Sequence, residues 1–438
     1  MSNPITRRRF LSTTAATVAT ASALPALAAD APAPAATAPV KKLNIGIVGV
    51  GGRGFDHVRE IKPIENARVV ALCDVDSGRL ANAAGTIEHA AHFVDFRDML
   101  KMSNLDAVVV ATPDHTHAVA TAAALRAGKH VYCEKPLTHT VREARAIAKL
   151  AEATKLVTQL GIQVHSMENY RRVVELVQAG AIGAVREVHI WNNRTNRAVS
   201  ASEVPPPVSL NYDLWLGPVS QRPFNPDYHP YNWRRWWAFG SGMLGDIGCH
   251  LMDVAFWALD LGSPTRVQAD GSPRDENITT EWIIAQYDFP ARGDHPAVKL
   301  TWYDPPKTPP MLSSWNLDPK HAGEGVMFIG DAGMLYTNYT QHALLPAEKF
   351  ADFKAPAKSI VSSPGHQREW VNACLKNDPR GTTCPFSYGG LLSETALLGT
   401  LAFRAGKPLD WDAKSMRFTN APEADRLLGD EYRAGWVL

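Results

Sequence analysis

The stretch NIGIVGVGGRGFDHV, Asn44 to Val58, constrains the fold more than any other part of the chain. An apolar run ends in three spaced glycines, Gly49, Gly51 and Gly54, and the residues that follow read as a helix. Gly49-Val50-Gly51-Gly52-Arg53-Gly54 satisfies G-x-G-x-x-G between a strand and a helix. Each glycine has its own physical task there. The first permits a tight turn, the second lets backbone approach a diphosphate, and the third lets the helix sit close to the strand. Free N–H groups and the dipole at the helix start then hold the negative charge. The loop therefore predicts a dinucleotide site at the opening of a parallel α/β sheet, with Gly49, Gly51, Gly52, Arg53 and Gly54 around the diphosphate.

The next hundred residues repeat that alternation. Short β-branched runs, apolar on both faces, occur at ARVVALCD (67–74), DAVVVATP (106–113), KHVYCEKP (129–136) and KLVTQLGIQ (155–163). Parallel strands covered by helices have this texture. Between two of them lies TVREARAIAKLAEAT, where Thr140 as N-cap and Glu143 three residues on predict a capping box. Residues 43–164 are thus expected to form a doubly wound, Rossmann-type domain. Asp74 ends the second strand twenty residues after Gly54. An acid there meets the adenosine ribose hydroxyls and repels a 2′-phosphate, which favours NAD over NADP; Arg79 works in the other direction.

Past residue 165 the strand candidates lengthen and partly alternate: AVREVHIWNN, TEWIIAQYDF, AVKLTWYD, GVMFIGD and GMLYTNY. A second α/β domain with a mostly antiparallel sheet is expected over 165–438. Helices are expected at 366–376 and 391–405, the latter stopped by Gly406 with Pro408 beyond it. A chain of 438 residues, 45% hydrophobic and 20% charged, is long enough for two such cores. Its net charge of +1, without long runs of either sign, predicts no nucleic-acid partner. The five cysteines, Cys73, Cys133, Cys249, Cys374 and Cys384, have no zinc or disulfide spacing. They read as buried small hydrophobes, and no metal site is expected.

The start of the chain belongs to a different class of segment. Arg7, Arg8 and Arg9 precede Phe10 and Leu11, then an Ala/Thr-rich stretch ends at Ala26-Leu27-Ala28. Residues 1–28 resemble a twin-arginine export signal, followed by an Ala/Pro-rich linker over 29–42. The apolar run is too short and weak to span a bilayer. The expected location is the periplasm or another exported compartment.

Two stretches carry the chemistry. In YCEKPLT, Glu134 and Lys135 end a strand of the parallel sheet, and ligands of such sheets lie beyond the carboxyl ends of the strands. In GSGMLGDIGCHLMDVAFWAL, Asp246, His250 and Asp253 fall at i, i+4 and i+7 on one helical face. An Asp one turn before a His can orient the imidazole; the alternative is a structural histidine. A third stretch, NPDYHPYNWRRWWAFGSG, concentrates Tyr228, Tyr231, Trp233, Arg234, Arg235, Trp236 and Trp237. It reads equally as a sugar-stacking loop and as a loop packed into local core or a subunit interface.

The glycine loop, TPDHTH (112–117), EKP (134–136) and GDIGCH (245–250) together resemble the glucose-fructose oxidoreductase, inositol dehydrogenase and rhizopine-catabolism (Gfo/Idh/MocA) family, from Leu43 to about Asp410. The likeness is greatest to its exported, twin-arginine-bearing subgroup. The resemblance implies oxidation of a secondary hydroxyl of a sugar or cyclitol with NAD(P), and homo-oligomers built through the second sheet. By matching motif it implies that Lys135 and His250 are catalytic and that Asp246 positions His250 and the substrate. Thr112, Pro113 and His117 would line the nicotinamide loop. The stretch GIQVHSMENY departs from the family's more common Asn/Arg-rich version, so Gln163 and His165 are expected to face a different ligand. Arg194, Tyr231, Trp233 and Arg234 complete the expected substrate set.

Export raises a constraint of its own. A freely exchanging cofactor dilutes away outside the cytoplasm, so the dinucleotide must be held tightly and recycled in place. Recycling can couple two carbonyl–alcohol reactions, or can serve a transient oxidation that cleaves a glycosidic bond and is then reversed. A non-catalytic sugar-binding protein on the same fold is the third possibility. The arm before Leu43 is a candidate to lie over the adenine, as a similar arm does in exported family members.

Overall fold

Six strands carry the first part of the chain: β1 (Leu43–Val48), β2 (Ala67–Cys73), β3 (Ala91–Phe93), β4 (Ala107–Val110), β5 (His130–Glu134) and β6 (Thr158–Gly161). They pair in the order β3-β2-β1-β4-β5-β6, and every pairing is parallel. The computed structural model describes residues 41–200, 202–317 and 322–438. The export signal and nearly all of the linker expected before Leu43 lie outside the described residues.

Helices α1 (Arg53–Ile61), α2 (Ser77–Ala84), α3 (Phe96–Met99), α4 (Asp114–Arg126) and α5 (Val141–Thr154) connect these strands. The capping box forms: the Thr140 hydroxyl accepts from the Glu143 N–H at 3.3 Å, and the Glu143 carboxylate accepts from the Thr140 N–H at 2.8 Å. Strand β3 was not anticipated, because three residues are too few to show a periodicity.

The second part contains α6 (Glu168–Gln178), β7 (Val185–Trp191), α7 (Tyr212–Leu216), α8 (Gly242–Leu259), β8 (Arg266–Gly271), β9 (Ile283–Phe289) and β10 (Val298–Tyr303). It continues with β11 (Gly325–Gly330), β12 (Gly333–Thr337), β13 (His342–Leu345), α9 (His366–Lys376), α10 (Phe386–Ala405), β14 (Leu409–Asp412) and β15 (Arg417–Phe418). The nine-stranded sheet runs β13-β12-β11-β7-β10-β9-β8-β14-β15 and is antiparallel except where β7 meets β10. In β9 buried and half-buried residues alternate, as in a sheet with one face covered by helices.

Two helices of the second part reach the parallel sheet. Helix α9 packs on the parallel sheet, where Trp370, Val371, Ala373 and Cys374 join Leu43, Ile45, Ile47 and Val69 in one core. The C-terminal part thus contributes side chains to the core of the parallel sheet. Helix α10 starts five residues earlier than expected, so Gly389 and Gly390 lie inside it. Close packing explains the glycines. A Cβ on Gly389 would lie 2.6 Å from Leu160, and one on Gly390 would lie 3.2 Å from the Ala148 Cβ of α5. All five cysteines are buried and free. Among the described residues no helix is long and apolar enough to cross a membrane.

Candidate active site

The loop after β1 is shaped for a phosphate. Gly49 and Gly52 have φ of +80° and +51°, in the left-handed region that side chains avoid. A Cβ on Gly54 would lie 1.7 Å from the Gly49 carbonyl oxygen, so only glycine lets α1 approach the strand. The Gly54 N–H bonds the Gly51 carbonyl and the Val50 N–H bonds Asp74. The N–H groups of Gly51 and Gly52 make no hydrogen bond among the described residues. Free donors at a helix start fit a diphosphate.

This loop borders a cavity of about 360 Å³ that extends from β2 and β3 to His250 in the middle of α8. One wall carries Asp74, Arg79, Val94, Asp95 and Phe96; the other carries Glu134, Lys135, Gln163 and His250. Thr112, Pro113 and His117 lie between the two. The Thr112 hydroxyl is buried without a partner, a second open polar group on the path of a dinucleotide. His117 faces a carbonyl oxygen on each side, Pro136 at Nδ1 and Thr112 at Nε2, both at 2.8 Å. Both contacts are hydrogen bonds only when the ring carries two protons.

Glu134 fastens the strand end to the glycine loop. Its Oε1 accepts from Arg53 Nε at 3.1 Å, from His57 Nε2 at 2.7 Å and from Gln163 Nε2 at 2.8 Å. Burial alone raises a carboxyl's pKa, but the His57 bond and the charges of Arg53 and Lys135 outweigh it and hold Glu134 well below the usual range.

Lys135 follows on the same strand end. Its Nζ donates to Asp246 Oδ1 and to the Asp246 backbone carbonyl, each at 2.6 Å. Arg234 Nε donates to the other Asp246 oxygen at 3.1 Å. Burial opposes ionisation of Asp246, but these two cations lower its pKa far below the ordinary value. The His250 ring, one turn along α8, is different. Burial and the nearby Lys135 charge push its pKa down to about 3. Its Nδ1 is buried without a partner. A neutral imidazole thus shares the cavity edge with a fixed ammonium: the ring is free to accept a proton from a hydroxyl, and the ammonium can stabilise that hydroxyl's oxygen.

Comparison with known proteins agrees with the nucleotide-binding fold. Residues 43–162 match the family model described as "Oxidoreductase family, NAD-binding Rossmann fold", and residues 177–293 match its "C-terminal alpha/beta domain". The chain belongs to the Gfo/Idh/MocA oxidoreductase family. Inositol 2-dehydrogenase 3 of Saccharopolyspora erythraea is 35% identical over 149 residues, 34% of this chain and 44% of that protein. Inositol 2-dehydrogenase of Leifsonia xyli is 38% identical over 152 residues, 34% of this chain and 44% of that protein. The chain thus matches less than half the length of these relatives. In overall fold it is similar to the WlbA dehydrogenase of Bordetella pertussis, solved with NADH and UDP-GlcNAcA (TM-score 0.61, 19% identity, 85% of this chain and 99% of that one). It is also similar to scyllo-inositol dehydrogenase of Lactobacillus casei, solved with NAD(H) and scyllo-inositol (TM-score 0.55, 21% identity, 84% and 99%).

Within this family frame, several residues sit differently from the sequence expectation. Asp246 does not orient His250; its carboxylate is taken by Lys135 and Arg234, because the carboxylate faces β5 rather than the next turn of its own helix. His165 does not line the cavity. It is buried, its Nδ1 lies 2.9 Å from Asp253, and its ring stacks on Trp257 at 4.0 Å. Asp253, on the next turns of α8, also accepts from the Tyr388 hydroxyl at 2.7 Å, so this pair serves the core. Arg194 is exposed and is not among the cavity-lining residues. Asp74 lies on the cavity wall, but its two oxygens accept from the backbone N–H groups of Val50 and Asp76 at 2.8 and 2.9 Å. It therefore also shapes the loop, whatever it offers to a ribose.

The aromatic stretch divides between both readings. Tyr228, Trp233, Trp236 and Phe239 form a local core with Trp215 and Phe224, while Trp237 joins the main one. Tyr231, Trp233 and Arg234 also line the cavity, with the Arg234 guanidinium 4.1 Å from the Trp233 ring centroid. Cavity residues that sequence reasoning missed include Val94, Phe96, Trp215, His229 and Trp436. They come from the residues after a three-residue strand, the five-residue helix α7, the loop before Trp233 and the last residues of the chain, and only His229 falls in a stretch that the sequence marks.

Proposed function

We propose that the protein oxidises a secondary hydroxyl of a sugar or cyclitol by hydride transfer to NAD. Bound NAD supplies the hydride acceptor. Gly49, Gly51, Gly52 and Arg53 hold its diphosphate, and Thr112, Pro113 and His117 border its nicotinamide half. His250 takes the hydroxyl proton on a ring nitrogen, which burial and Lys135 keep unprotonated at neutral pH. Lys135, charged and fixed by Asp246, donates to the substrate oxygen and stabilises its developing negative charge. Gln163, Tyr231, Trp233 and Arg234 border the substrate end; aromatic faces suit the C–H face of a ring, and the amide and guanidinium suit its hydroxyls.

One observation carries this reading: a neutral imidazole and a pinned ammonium share the cavity that the glycine loop opens. The inositol dehydrogenase relatives favour a cyclitol or sugar as substrate. The test is growth of nicotinamide absorbance when purified protein and NAD meet a panel of inositols, aldoses and glycosides. Growth with at least one polyol supports the reading. No turnover with any of them, or release of an aglycone from a glycoside without net redox change, overturns it. We further propose that the protein is exported with its dinucleotide already bound, which equal amounts of bound nucleotide in exported and cytoplasmic material would support.

A further inference from the structure

Residues 429–438 follow the short helical turn Pro422–Leu428 and run past α5 and residues 213–218 to Phe96. They are fastened at each step. Asp430 lies 3.4 Å from His139, and the Tyr432 hydroxyl donates to Glu143 at the start of α5. Arg433 donates from Nη1 to Asp213 and from Nε to the Gly217 carbonyl, both at 2.6 Å, and its N–H bonds the Pro218 carbonyl at 3.0 Å. Arg126 of α4 donates to the Leu438 carbonyl at 2.9 Å. Between these anchors the Trp436 ring sits 6.1 Å from Phe96, with the Arg97 guanidinium 4.8 Å from its centroid.

Trp436 lines the same cavity as Asp74, Arg79, Val94, Asp95 and Phe96. Those residues follow β2 and β3, the outer strands on the glycine-loop side of β1. With the diphosphate on the glycine loop, the adenosine half of a dinucleotide extends to that side of the sheet. The ring is half-buried, held by Phe96, by Arg97 and by Arg433 at 6.0 Å from its centroid, and it lines the cavity. An aromatic face held rigid beside a purine stacks on it with little loss of side-chain freedom.

We infer that Trp436, carried by the strap 429–438, forms the outer wall of the adenosine subsite and slows release of the dinucleotide. This goes beyond the proposed oxidation, since it concerns only how the cofactor is retained. A strap that merely packs would contribute stability and leave nucleotide affinity alone.

Binding of NAD, ADP-ribose and nicotinamide mononucleotide to full-length protein separates the two. Trp436→Leu keeps apolar bulk and loses the aromatic face; Trp436→Phe keeps a face. The Leu variant is expected to release NAD about tenfold faster or more and to lose affinity for ADP-ribose by a similar factor. Its affinity for nicotinamide mononucleotide should not change, and the Phe variant should stay within a few-fold of wild type. Wild-type rates in the Leu variant, or an equal loss for the mononucleotide, overturn the inference. If the Leu variant does not fold, hydrogen exchange of wild-type residues 429–438 decides. ADP-ribose should slow exchange there and nicotinamide mononucleotide should not; no slowing by ADP-ribose overturns the inference. Wild type that binds NAD but turns over no polyol removes the proposed function and leaves this result readable.

Discussion

Lys135 and Asp246 stand 111 residues apart in sequence and 2.6 Å apart in the fold, Nζ to Oδ1. The bond joins the end of a parallel strand to the helix that covers the second sheet. It fixes an ammonium on the wall of the glycine-loop cavity that His250 of α8 also lines, so the strength of catalysis should depend on the pair as a unit.

Asp246→Asn removes the charge that fixes Lys135 while keeping the shape. We expect kcat to fall about a hundredfold, and Lys135→Ala to cost about a thousandfold. The double variant should be little worse than Lys135→Ala alone, because the carboxylate acts through the ammonium. A double-mutant cycle in kcat/KM checks this; additive losses would separate the two roles.

His250 carries the next expectation. With its pKa pushed down to about 3, it is already neutral across pH 5–8. The profile of kcat/KM should therefore lack the acid limb near 6.5 that an ordinary histidine base produces. His250→Ala should lower turnover about a hundred- to ten-thousandfold while NAD still binds. An acid limb centred near 6.5 that is lost in His250→Ala would contradict the lowered pKa while keeping His250 as the base.

Stability should respond to acid in a defined window. His115 and His250 are pushed down to about 3 and His366 to about 4, each chiefly by burial. Below the unfolded value of about 6.5 the unfolded chain binds protons that the native chain refuses. The stability these groups contribute is thus present above that pH and is lost as pH falls towards 3–4. Thermal melts from pH 7.5 to 4.5 should show a falling midpoint that begins near pH 6.5, not near the carboxylate range.

Glu134 links Arg53, His57 and Gln163 through one oxygen. Glu134→Ala leaves the fully buried His57 ring without that acceptor and should cost about 2 kcal/mol. NAD affinity should fall too, since Arg53 opens α1 beside the glycine loop. Chemical denaturation and calorimetric titration with NAD check the two effects separately.

Gly54→Ala tests the loop itself. Its Cβ would lie 1.7 Å from a backbone oxygen, which no rotamer change relieves. We expect loss of NAD binding with the second domain's near-ultraviolet signature retained. Normal NAD affinity in this variant would place the diphosphate elsewhere.

Much of the architecture was legible in local pattern. The five parallel strands read from the sequence correspond to β1, β2, β4, β5 and β6, and the capping box at Thr140 is present. The expected helix at 366–376 is α9 to the residue. What escaped was short or was stabilised from outside. Strand β3 spans three residues, and α10 runs through Gly389 and Gly390 because Leu160 and Ala148 leave no room for side chains. Within the site, the i and i+4 spacing placed Asp246 and His250 on one face but suggested the wrong partner for the carboxylate. Spacing along a helix reports which side chains are neighbours on that helix; it carries nothing about a lysine from a different strand.

Composition, glycine spacing and hydrophobic alternation by themselves determined a two-sheet α/β chain with a nucleotide loop at its start. Those features act through backbone sterics and local burial, which residues close in sequence control. Only the tertiary structure decided which groups share the cavity. It paired Lys135 with Asp246, withdrew His165 into a core pair with Asp253, and brought Trp436 back to a wall built by residues 74–96. Such contacts depend on long-range packing, where the energy of a charge or a ring is set by neighbours that chain order does not reveal.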